Sequence, residues 1–196
     1  HTRYGTVTGV QTCALPISSE EFAAAHARRI GVALGEIPRI VGWGHRNAGL
    51  RFKDKIARSQ TSEVVFPHVK QTVDDAMRRA GLGGARDLHV IETHDCFSVT
   101  EYMAIDHFGI TRPGESWKAV EDGTIAPGGT LPINPSGGLI GCGHPVGATG
   151  ARMLLDAAKQ VTGGAGDMQV DGARRAATLN IGGSCATVCS FVVAAG

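Results

Sequence analysis

The sequence predicts an α/β fold, in which helices pack on a mixed sheet. Short β-branched runs alternate with segments of helical periodicity, and clusters of turn residues separate them. Apolar residues make up 42% of the chain, which is enough for a sizeable core. A net charge of +1 offers no basic face for nucleic acid, and no apolar run is long enough to span a membrane. We therefore expect one layered domain without a nucleic-acid partner.

The first residues stand apart from this pattern. Translated back into codons, residues 1–17 match a common short-read sequencing adapter, and Tyr4, Gly5 and Thr6 fall in its variable index. Chance does not account for a match of this length. We expect residues 1–18 to be adapter-derived and the native domain to span residues 19–196, incomplete at its N-terminal side. Cys13 then has no functional role.

The first half of the domain is predicted to contain two helices and one strand. Ser19 precedes an acidic first turn and begins a helix, and "IPRIVGWGH" has the β-branched composition of a strand. Residues 46–63 lack clean periodicity and are predicted as a loop. The following apolar spacing predicts a helix that starts at Thr61 or Ser62 and stops at Gly81; its apolar positions are Val65, Val69, Val73, Ala76 and Ala80.

The second half alternates in the same way. "LHVIETHDCF" predicts a strand that runs into a loop, and Ser98 is predicted to cap the next helix. Residues 111–138 are rich in turn residues and predicted as irregular. "VGATGARMLLDAAKQVTGG" predicts a helix with a glycine-rich start, and "RAATLNIGG" and "ATVCSFVVAAG" predict an antiparallel pair of strands.

A candidate site begins with His144, which lies between Gly143 and Pro145 immediately before a predicted helix. This position exposes the imidazole and directs helix N–H groups toward an anion or a developing oxyanion. The alternative is a turn histidine beside a glycine-rich helix start.

Cys96 is the second candidate, within "HDCF" at the end of a predicted strand. Catalytic groups of α/β folds lie at the carboxyl ends of strands, and a thiol near His94 can act as a base or a nucleophile. The alternative is a small buried cysteine.

The glycines of "NIGGSCATVC" would let backbone approach a ligand closely, while Cys185 and Cys189 fill the core around the last strand. The spacings in a zinc site made of His94, Cys96, Cys142 and His144 do not match the common ones, so no metal is predicted. The cysteines also lack the density of a disulfide scaffold, which favours reduced thiols in a cytoplasmic enzyme.

Together the motifs "HDCF", "LPINPSGGLIGCGHPVGATG" and "LNIGG" resemble the C-terminal half of a thiolase, most closely the sterol-carrier-protein-type branch. The resemblance runs from about Ser19 to the end of the chain. Many thiolases carry Asn-Glu-Ala-Phe where this chain has "HDCF", and a second catalytic cysteine where it has Asn180. The chain departs from that pattern at both places, as the sterol-carrier-protein-type branch does.

The resemblance implies a role for each candidate. Cys96 would move the proton that Asn180 cannot, because an amide does not titrate. His144 would donate a hydrogen bond to the thioester oxygen and help activate the nucleophile. His94 would replace an asparagine of the oxyanion hole, with backbone support from Gly143, Asn180 and Gly182. Cys142 matches no catalytic position and is expected to be structural.

The implied activity is an acyl-CoA C-acyltransferase that cleaves or forms β-ketoacyl-CoA through an acyl-cysteine. Coenzyme A would be a substrate, with no cofactor bound permanently, and the full-length protein would form a homo-oligomer. The nucleophile of the family lies in an N-terminal half absent from this sequence, so the chain alone is expected to be inactive. The alternatives are a thiolase-like retro-aldol lyase of sterol side chains, which works with an OB-fold partner, and a non-catalytic subunit.

Overall fold

In the computed structural model, residues 17–196 are described, and the predicted adapter stretch lies almost entirely outside them. One mixed sheet forms the centre, in the spatial order β1-β4-β3-β2. Strands β1 and β3 run antiparallel to β4, and β2 runs parallel to β3. The strands are β1 (Arg39–Asn47), β2 (Val90–Thr93), β3 (Arg175–Gly182) and β4 (Thr187–Ala194). The predicted mixed sheet and the β3–β4 pair are confirmed.

Helices cover both faces of the sheet. The seven α-helices among the described residues are α1 (Glu20–Ile30), α2 (Phe52–Ser59), α3 (Pro67–Arg79), α4 (Ser98–Phe108), α5 (Ser116–Glu121), α6 (Gly138–Cys142) and α7 (Thr149–Val161). The helix α3 packs on β1 and β4 and also contacts α4, whereas α7 packs on β2, β3 and β4. Within residues 17–196, every helix is too short or too polar to cross a membrane.

Two apolar clusters form the core, one on each face of the sheet. Ile91, Leu179 and Val192 belong to the larger cluster beneath α3 and α4. Val90 and Val193 belong to the smaller cluster, which also contains the α7 residues Leu154, Ala157 and Val161. Neighbouring residues of one strand thus enter opposite clusters because successive strand side chains point to opposite faces.

The N-terminus of α1 forms as the sequence predicts. The Ser19 hydroxyl accepts a hydrogen bond from the Phe22 backbone N–H at 3.4 Å, and Gly31 ends the helix in the left-handed conformation. Glu20 and Glu21 lie in the first turn, where the helix dipole favours negative charge.

The predicted start of α3 at Thr61 or Ser62 is wrong. The helix begins at Pro67, whose fixed φ suits the first helical position. Because a residue that precedes proline avoids the α region, Phe66 remains outside the helix. Val65 is accordingly 44% exposed, whereas Val69 and Val73 are buried as predicted.

Two predictions of irregular structure are also wrong. The predicted loop 46–63 contains α2, whose buried residue is Lys55 rather than an apolar side chain, so the sequence shows no clear apolar period. The predicted irregular segment 111–138 contains α5, a helix too short to show periodicity.

The predicted cap of α4 is displaced by one residue. Ser98 is the first helical residue, and Phe97 occupies the capping position. The side chain that serves this end is Thr100, whose hydroxyl accepts a hydrogen bond from the Phe97 N–H at 3.4 Å.

The helix α3 lies unusually close to β1. A Cβ atom at Gly42 would overlap the carbonyl oxygen of Ala76, and one at Gly44 would overlap that of Thr72. Only glycine fits at these two strand positions, which explains their place in a run that is otherwise typical of a strand.

Candidate functional site

The candidate site forms where β2 ends beside β3. The backbone N–H of His94 donates to the carbonyl of Leu179 at 2.9 Å, which extends the β2–β3 ladder by one residue. Glu92 lies opposite Thr178 in the register. Strand alternation therefore sets Glu92 and Thr178 on the face that α7 covers, with His94 and Asn180 the next residues of that face.

The structure brings His94 and His144 together. Their ring centroids lie 4.9 Å apart, with the rings perpendicular. Burial of His94 lowers its pKa, the charge of His144 lowers it further, and Asp95 opposes both effects. Because a lowered pKa favours the neutral imidazole, His94 can donate one hydrogen bond and accept another at neutral pH.

His144 is oriented by the first turn of α7. Its Nδ1 lies 2.8 Å from the hydroxyl oxygen of Thr149. That hydroxyl donates its proton to the carbonyl of Pro145 at 3.0 Å, so it accepts from Nδ1–H. Gly143, with φ of 92°, forms the turn just before the imidazole. The other ring nitrogen of His144, Nε2, therefore carries the lone pair that can accept a proton.

Cys96 lies two residues beyond His94 and is half-buried. Its thiol donates to the hydroxyl of Thr100 across 3.9 Å, since that hydroxyl gives its own proton to the Phe97 carbonyl at 2.6 Å. Cys96 thus lies one residue before Phe97, the capping position of α4. The approach of Cys96 to His144 stays a prediction.

Asn180 and Gly182 lie on the neighbouring strand. The Asn180 amide donates to the sulfur of Met153 at 3.0 Å, and Gly150 lies beside it, so this amide faces the first turns of α7. Gly182 is the last residue of β3 and is exposed where the strand meets the turn to β4.

The turn after Gly182 is held by buried side chains. Ser184 and Cys185 have φ of 54° and 65°, backbone angles that residues other than glycine rarely adopt. Lys55 Nζ donates to the Ser184 carbonyl at 2.6 Å, and His68 Nε2 donates to the Cys185 carbonyl at 2.8 Å. These two hydrogen bonds stabilise the strained turn that ends the "NIGG" motif.

Among the remaining thiols, the sulfur of Cys185 lies 3.7 Å from Nε2 of His68. Burial raises the pKa of Cys185 to about 11 and also raises that of Cys189, which keeps both in the thiol form at neutral pH. The Cys142 thiol donates to the Ser136 carbonyl at 2.7 Å, a structural contact. Among residues 17–196, no cluster of three or more His, Cys, Asp or Glu side chains has the geometry of a metal site.

Sequence reasoning missed the carboxylates around His94. Glu92 accepts hydrogen bonds from the hydroxyl of Ser136 at 2.6 Å and from its N–H at 3.3 Å. Asp95 accepts from the Leu139 N–H at 2.6 Å. Burial raises the pKa of Glu92 to about 7. A glutamate within the apolar strand "VIET" was the available signal, because a buried carboxylate needs partners.

Asn134 joins the same segment to both neighbouring elements. Its side-chain oxygen accepts from the Thr93 N–H at 2.7 Å, and its amide donates to Glu101 of α4, also at 2.7 Å. Burial raises the pKa of Glu101. The start of the "NPSGG" motif is thus fixed to the end of β2.

Comparisons with known proteins identify a family and relatives of similar sequence. A family model described as "Thiolase C-terminal domain-like" matches residues 51–195. An acetyl-CoA acetyltransferase of Methanothermobacter thermautotrophicus is 44% identical over 98 residues, which cover 50% of this chain and 26% of that protein. Sterol carrier protein 2 of Rattus norvegicus is 35% identical over 166 residues, covering 85% of this chain and 29% of that protein.

More distant similarities point to the same fold. A benzoylsuccinyl-CoA thiolase subunit of Thauera aromatica is 31% identical over 117 residues, covering 59% of this chain and 30% of the subunit. Among solved structures, a chain of an Ltp2–ChsH2(DUF35) aldolase superposes with a TM-score of 0.66 at 19% identity, covering 81% of this chain and 39% of that chain. The chain spans less than a third of each of these curated relatives.

Proposed function

Because the chain belongs to the thiolase C-terminal domain-like family, we propose that it is the C-terminal catalytic part of an acyl-CoA C-acyltransferase. The reaction would cleave or form a β-ketoacyl-CoA through an acyl-cysteine supplied by an N-terminal half. The contact between the His94 and His144 rings at the end of β2 is the observation that carries the proposal. It joins two of the family motifs in one place.

His144 would first act as a base. Its Nδ1–H is engaged by Thr149, so Nε2 carries the lone pair that can take the proton of the nucleophilic thiol. The resulting imidazolium can then donate a hydrogen bond from Nε2 to the thioester oxygen. One side chain thereby serves activation and then oxyanion stabilisation.

Cys96 would move the second proton. In the cleavage direction, the nucleophile attacks the β-keto carbon, and the bond between the α and β carbons breaks. The electron pair stays on the α carbon, which takes a proton from the Cys96 thiol. The Cys96 thiolate then deprotonates incoming coenzyme A, whose sulfur displaces the acyl group from the nucleophile.

His94 would stabilise the developing oxyanion by donating a hydrogen bond as the neutral imidazole. The effect of burial on its pKa supports this form. Asn180 beside the first turn of α7 would supply polar backbone and side-chain support in the same region. Preorganised donors of this kind are worth about 10²–10³ in turnover each.

We further propose that coenzyme A is a substrate rather than a resident cofactor, and that the full-length protein is a cytoplasmic homo-oligomer. The named activities of the acetyltransferase and thiolase relatives support acyl-CoA as the substrate class.

A retro-aldol lyase is the alternative reaction on this fold, and the similarity to an aldolase chain is a likeness of fold. Such a lyase breaks its carbon–carbon bond without an acyl-cysteine. Trapping a radiolabelled acyl group on the protein would favour the thiolase. Carbon–carbon cleavage of a β-hydroxyacyl-CoA without a labelled protein would favour the lyase.

The central test is Cys96→Ala in the full-length protein. We expect kcat for thiolysis to fall by about 10²–10⁴-fold because the proton donor is lost, while acylation of the nucleophile persists in part. Cys185→Ala is the matched control, since Cys185 packs in the core cluster on the face of the sheet opposite α7, and turnover of the folded variant should stay near the parent value. Near-normal turnover of Cys96→Ala would contradict the acid/base role.

A further inference from the structure

Two buried carboxylates flank His94 along the chain, and both hold the same segment. Glu92 and Asp95 are 1% and 3% exposed. Glu92 accepts both donors of Ser136, and Asp95 accepts the Leu139 N–H. The segment they hold is residues 134–143, here called the histidine loop, because it leads directly to His144.

The histidine loop has little rigidity of its own. Gly137, Gly138 and Gly143 all have positive φ, with values of 91°, 60° and 92°. Glycine-rich backbone loses more conformational freedom on ordering than other backbone does, so such a loop needs external contacts to hold one geometry. At Gly138, a Cβ atom would overlap the carboxylate of Asp95, so the loop backbone lies directly against that anchor.

Charged groups of α7 complete the contacts around Glu92. Arg152 donates to the Ser136 hydroxyl at 3.3 Å and to Asp156 at 2.8 Å, and Lys159 lies 3.8 Å from Asp156. The negative charge of Asp156 and the positive charge of Arg152 act on the pKa of Glu92 in opposite directions. The helix that carries Arg152 also holds Nδ1 of His144 through its Thr149, so the loop and the imidazole share one support.

We propose that Glu92 and Asp95 are positioning residues: they fasten the histidine loop to the end of β2 and thereby set the His144 ring against His94. Neither carboxylate needs to touch the substrate. The consequence for turnover rests on the proposed function, whereas the consequence for the contact between the two rings does not.

The decisive variant is Ser136→Ala, which removes the hydroxyl contact of Glu92 without changing any charge. In full-length protein with isotope-labelled histidine, we expect the pKa of His94, followed by NMR, to rise, because the charge of a displaced His144 no longer lowers it. A His94→Gln spectrum assigns the resonance. Glu92→Gln should shift this pKa in the same direction, since an amide has one acceptor where Ser136 presents two donors.

Turnover gives an independent measurement of the same misplacement. Ser136→Ala and Glu92→Gln should each lower kcat by about a hundredfold with a smaller change in KM, because a small displacement of a catalytic group has that cost. Thr178→Val is the matched control. Thr178 is fully buried opposite Glu92, and its hydroxyl has no hydrogen-bond partner, so both readouts should stay at the parent values.

Asp95 is tested by a pair of variants. Asp95→Asn keeps an oxygen that can accept the Leu139 N–H, whereas Asp95→Ala does not. We expect Asp95→Asn to retain most turnover and the proton–proton contact between the His94 and His144 rings, and Asp95→Ala to lose both. Equal loss in the two variants would contradict a positioning role through this hydrogen bond.

The proposal is overturned if folded Ser136→Ala keeps the parent pKa of His94 and the contact between the rings. It is equally overturned if Thr178→Val changes them as much, since the effect would then be general packing. If Glu92→Gln does not fold, Ser136→Ala decides, because it leaves every charge in place. A parent protein without thiolase turnover would contradict the proposed function, yet the ring contact would still be measurable.

Discussion

Two buried side chains, Glu92 and His107, give the protein opposing responses to pH. Burial raises the pKa of Glu92 from 4.5 to about 7, and burial lowers that of His107 from 6.5 to about 4. Glu92 ionises at a lower pH in the unfolded chain than in the folded chain. Its contribution to the free energy of unfolding is therefore lost as the pH rises from 4.5 to about 7. His107 is protonated at a higher pH in the unfolded chain than in the folded chain. Its contribution to the free energy of unfolding therefore increases as the pH rises from about 4 to 6.5. Because the free energy of unfolding changes with pH in opposite directions for the two side chains, the two pH dependences largely cancel.

Replacement of Glu92 by glutamine should remove the pH dependence of stability that Glu92 causes. Relative to the parent, the free energy of unfolding of Glu92→Gln should increase by about 3 kcal/mol between pH 4.5 and 7. Urea unfolding at a series of pH values measures the difference. His107→Gln is the counterpart and should show the opposite trend. A difference that does not vary with pH would mean that Glu92 does not titrate in this range.

The close approach of Gly138 to the Asp95 carboxylate gives a second prediction for a single residue. Gly138→Ala would force a side chain into a left-handed backbone position, at a cost of about 1–2 kcal/mol, and onto the Asp95 carboxylate. Gly141→Ala lies in the same short helix with open space around its Cβ and serves as the control. Thermal unfolding of the intact protein should show a lowered Tm for Gly138→Ala alone. Equal Tm values would contradict the close packing of the histidine loop on Asp95.

At the same scale, the sequence motifs identify His94 and His144 as candidates, and the structure brings their rings into contact. The supporting residues were not predictable in the same way. Ser136 has an ordinary polar side chain whose partner Glu92 lies 44 positions away, so its role depends on a tertiary contact that no local pattern encodes. Thr149 contacts His144 only five positions away, yet a threonine at the start of a helix is too common to mark that contact in the sequence.

The elements α3 and β1 pack closely, since two strand glycines let the helix backbone approach. Gly44→Ala should lower the free energy of unfolding by about 3 kcal/mol or more, because the new Cβ meets the Thr72 carbonyl and the helix must shift. Gly84→Ala is the control, since Gly84 has extended backbone and open space. Urea unfolding compares the two. A Gly44→Ala protein as stable as Gly84→Ala would contradict the packing of α3 on β1.

Elements with a clear apolar period could be predicted, and those without one could not. The helix α7 and the strands β3 and β4 match their predictions because buried residues recur at the expected spacing. The helix α2 was missed because Lys55 lies buried and donates to the Ser184 carbonyl across the fold. The burial of a lysine in this helix is explained only by the distant Ser184 carbonyl that accepts its hydrogen bond.

For the whole molecule, large apolar side chains remain exposed next to the site. Phe97, Ile140 and Val146 are 70%, 65% and 83% exposed, and they lie within the motifs that carry Cys96 and His144. Exposed apolar area beside a functional site marks a surface for another polypeptide or a risk of aggregation. We propose that an N-terminal half packs near this region in the full-length protein.

Residues 18–196 alone should therefore show no acyl-CoA turnover and should aggregate or bind a hydrophobic dye. If residues 1–17 are an adapter translation, as the sequence predicts, amplification of the locus from source DNA should replace them with an apolar strand that leads into "SEEFA". Adding that upstream coding sequence should restore solubility and thiolysis, measured beside the shorter protein. Clear activity of residues 18–196 alone would make Cys96 the first candidate for the nucleophile, and recovery of the adapter-encoded peptide from genomic DNA would contradict its foreign origin.

The order of the strands has a consequence for synthesis on the ribosome. Within residues 17–196, β1 pairs only with β4, which is translated after the other three described strands, and Arg39 lies opposite Ala194 in their register. An emerging chain therefore carries β1 without this partner until β4 has left the exit tunnel. Closure of so long a loop is slow, and unpaired strands are prone to aggregate. The nascent polypeptide thus exposes the β1 edge throughout the synthesis of β2 and β3.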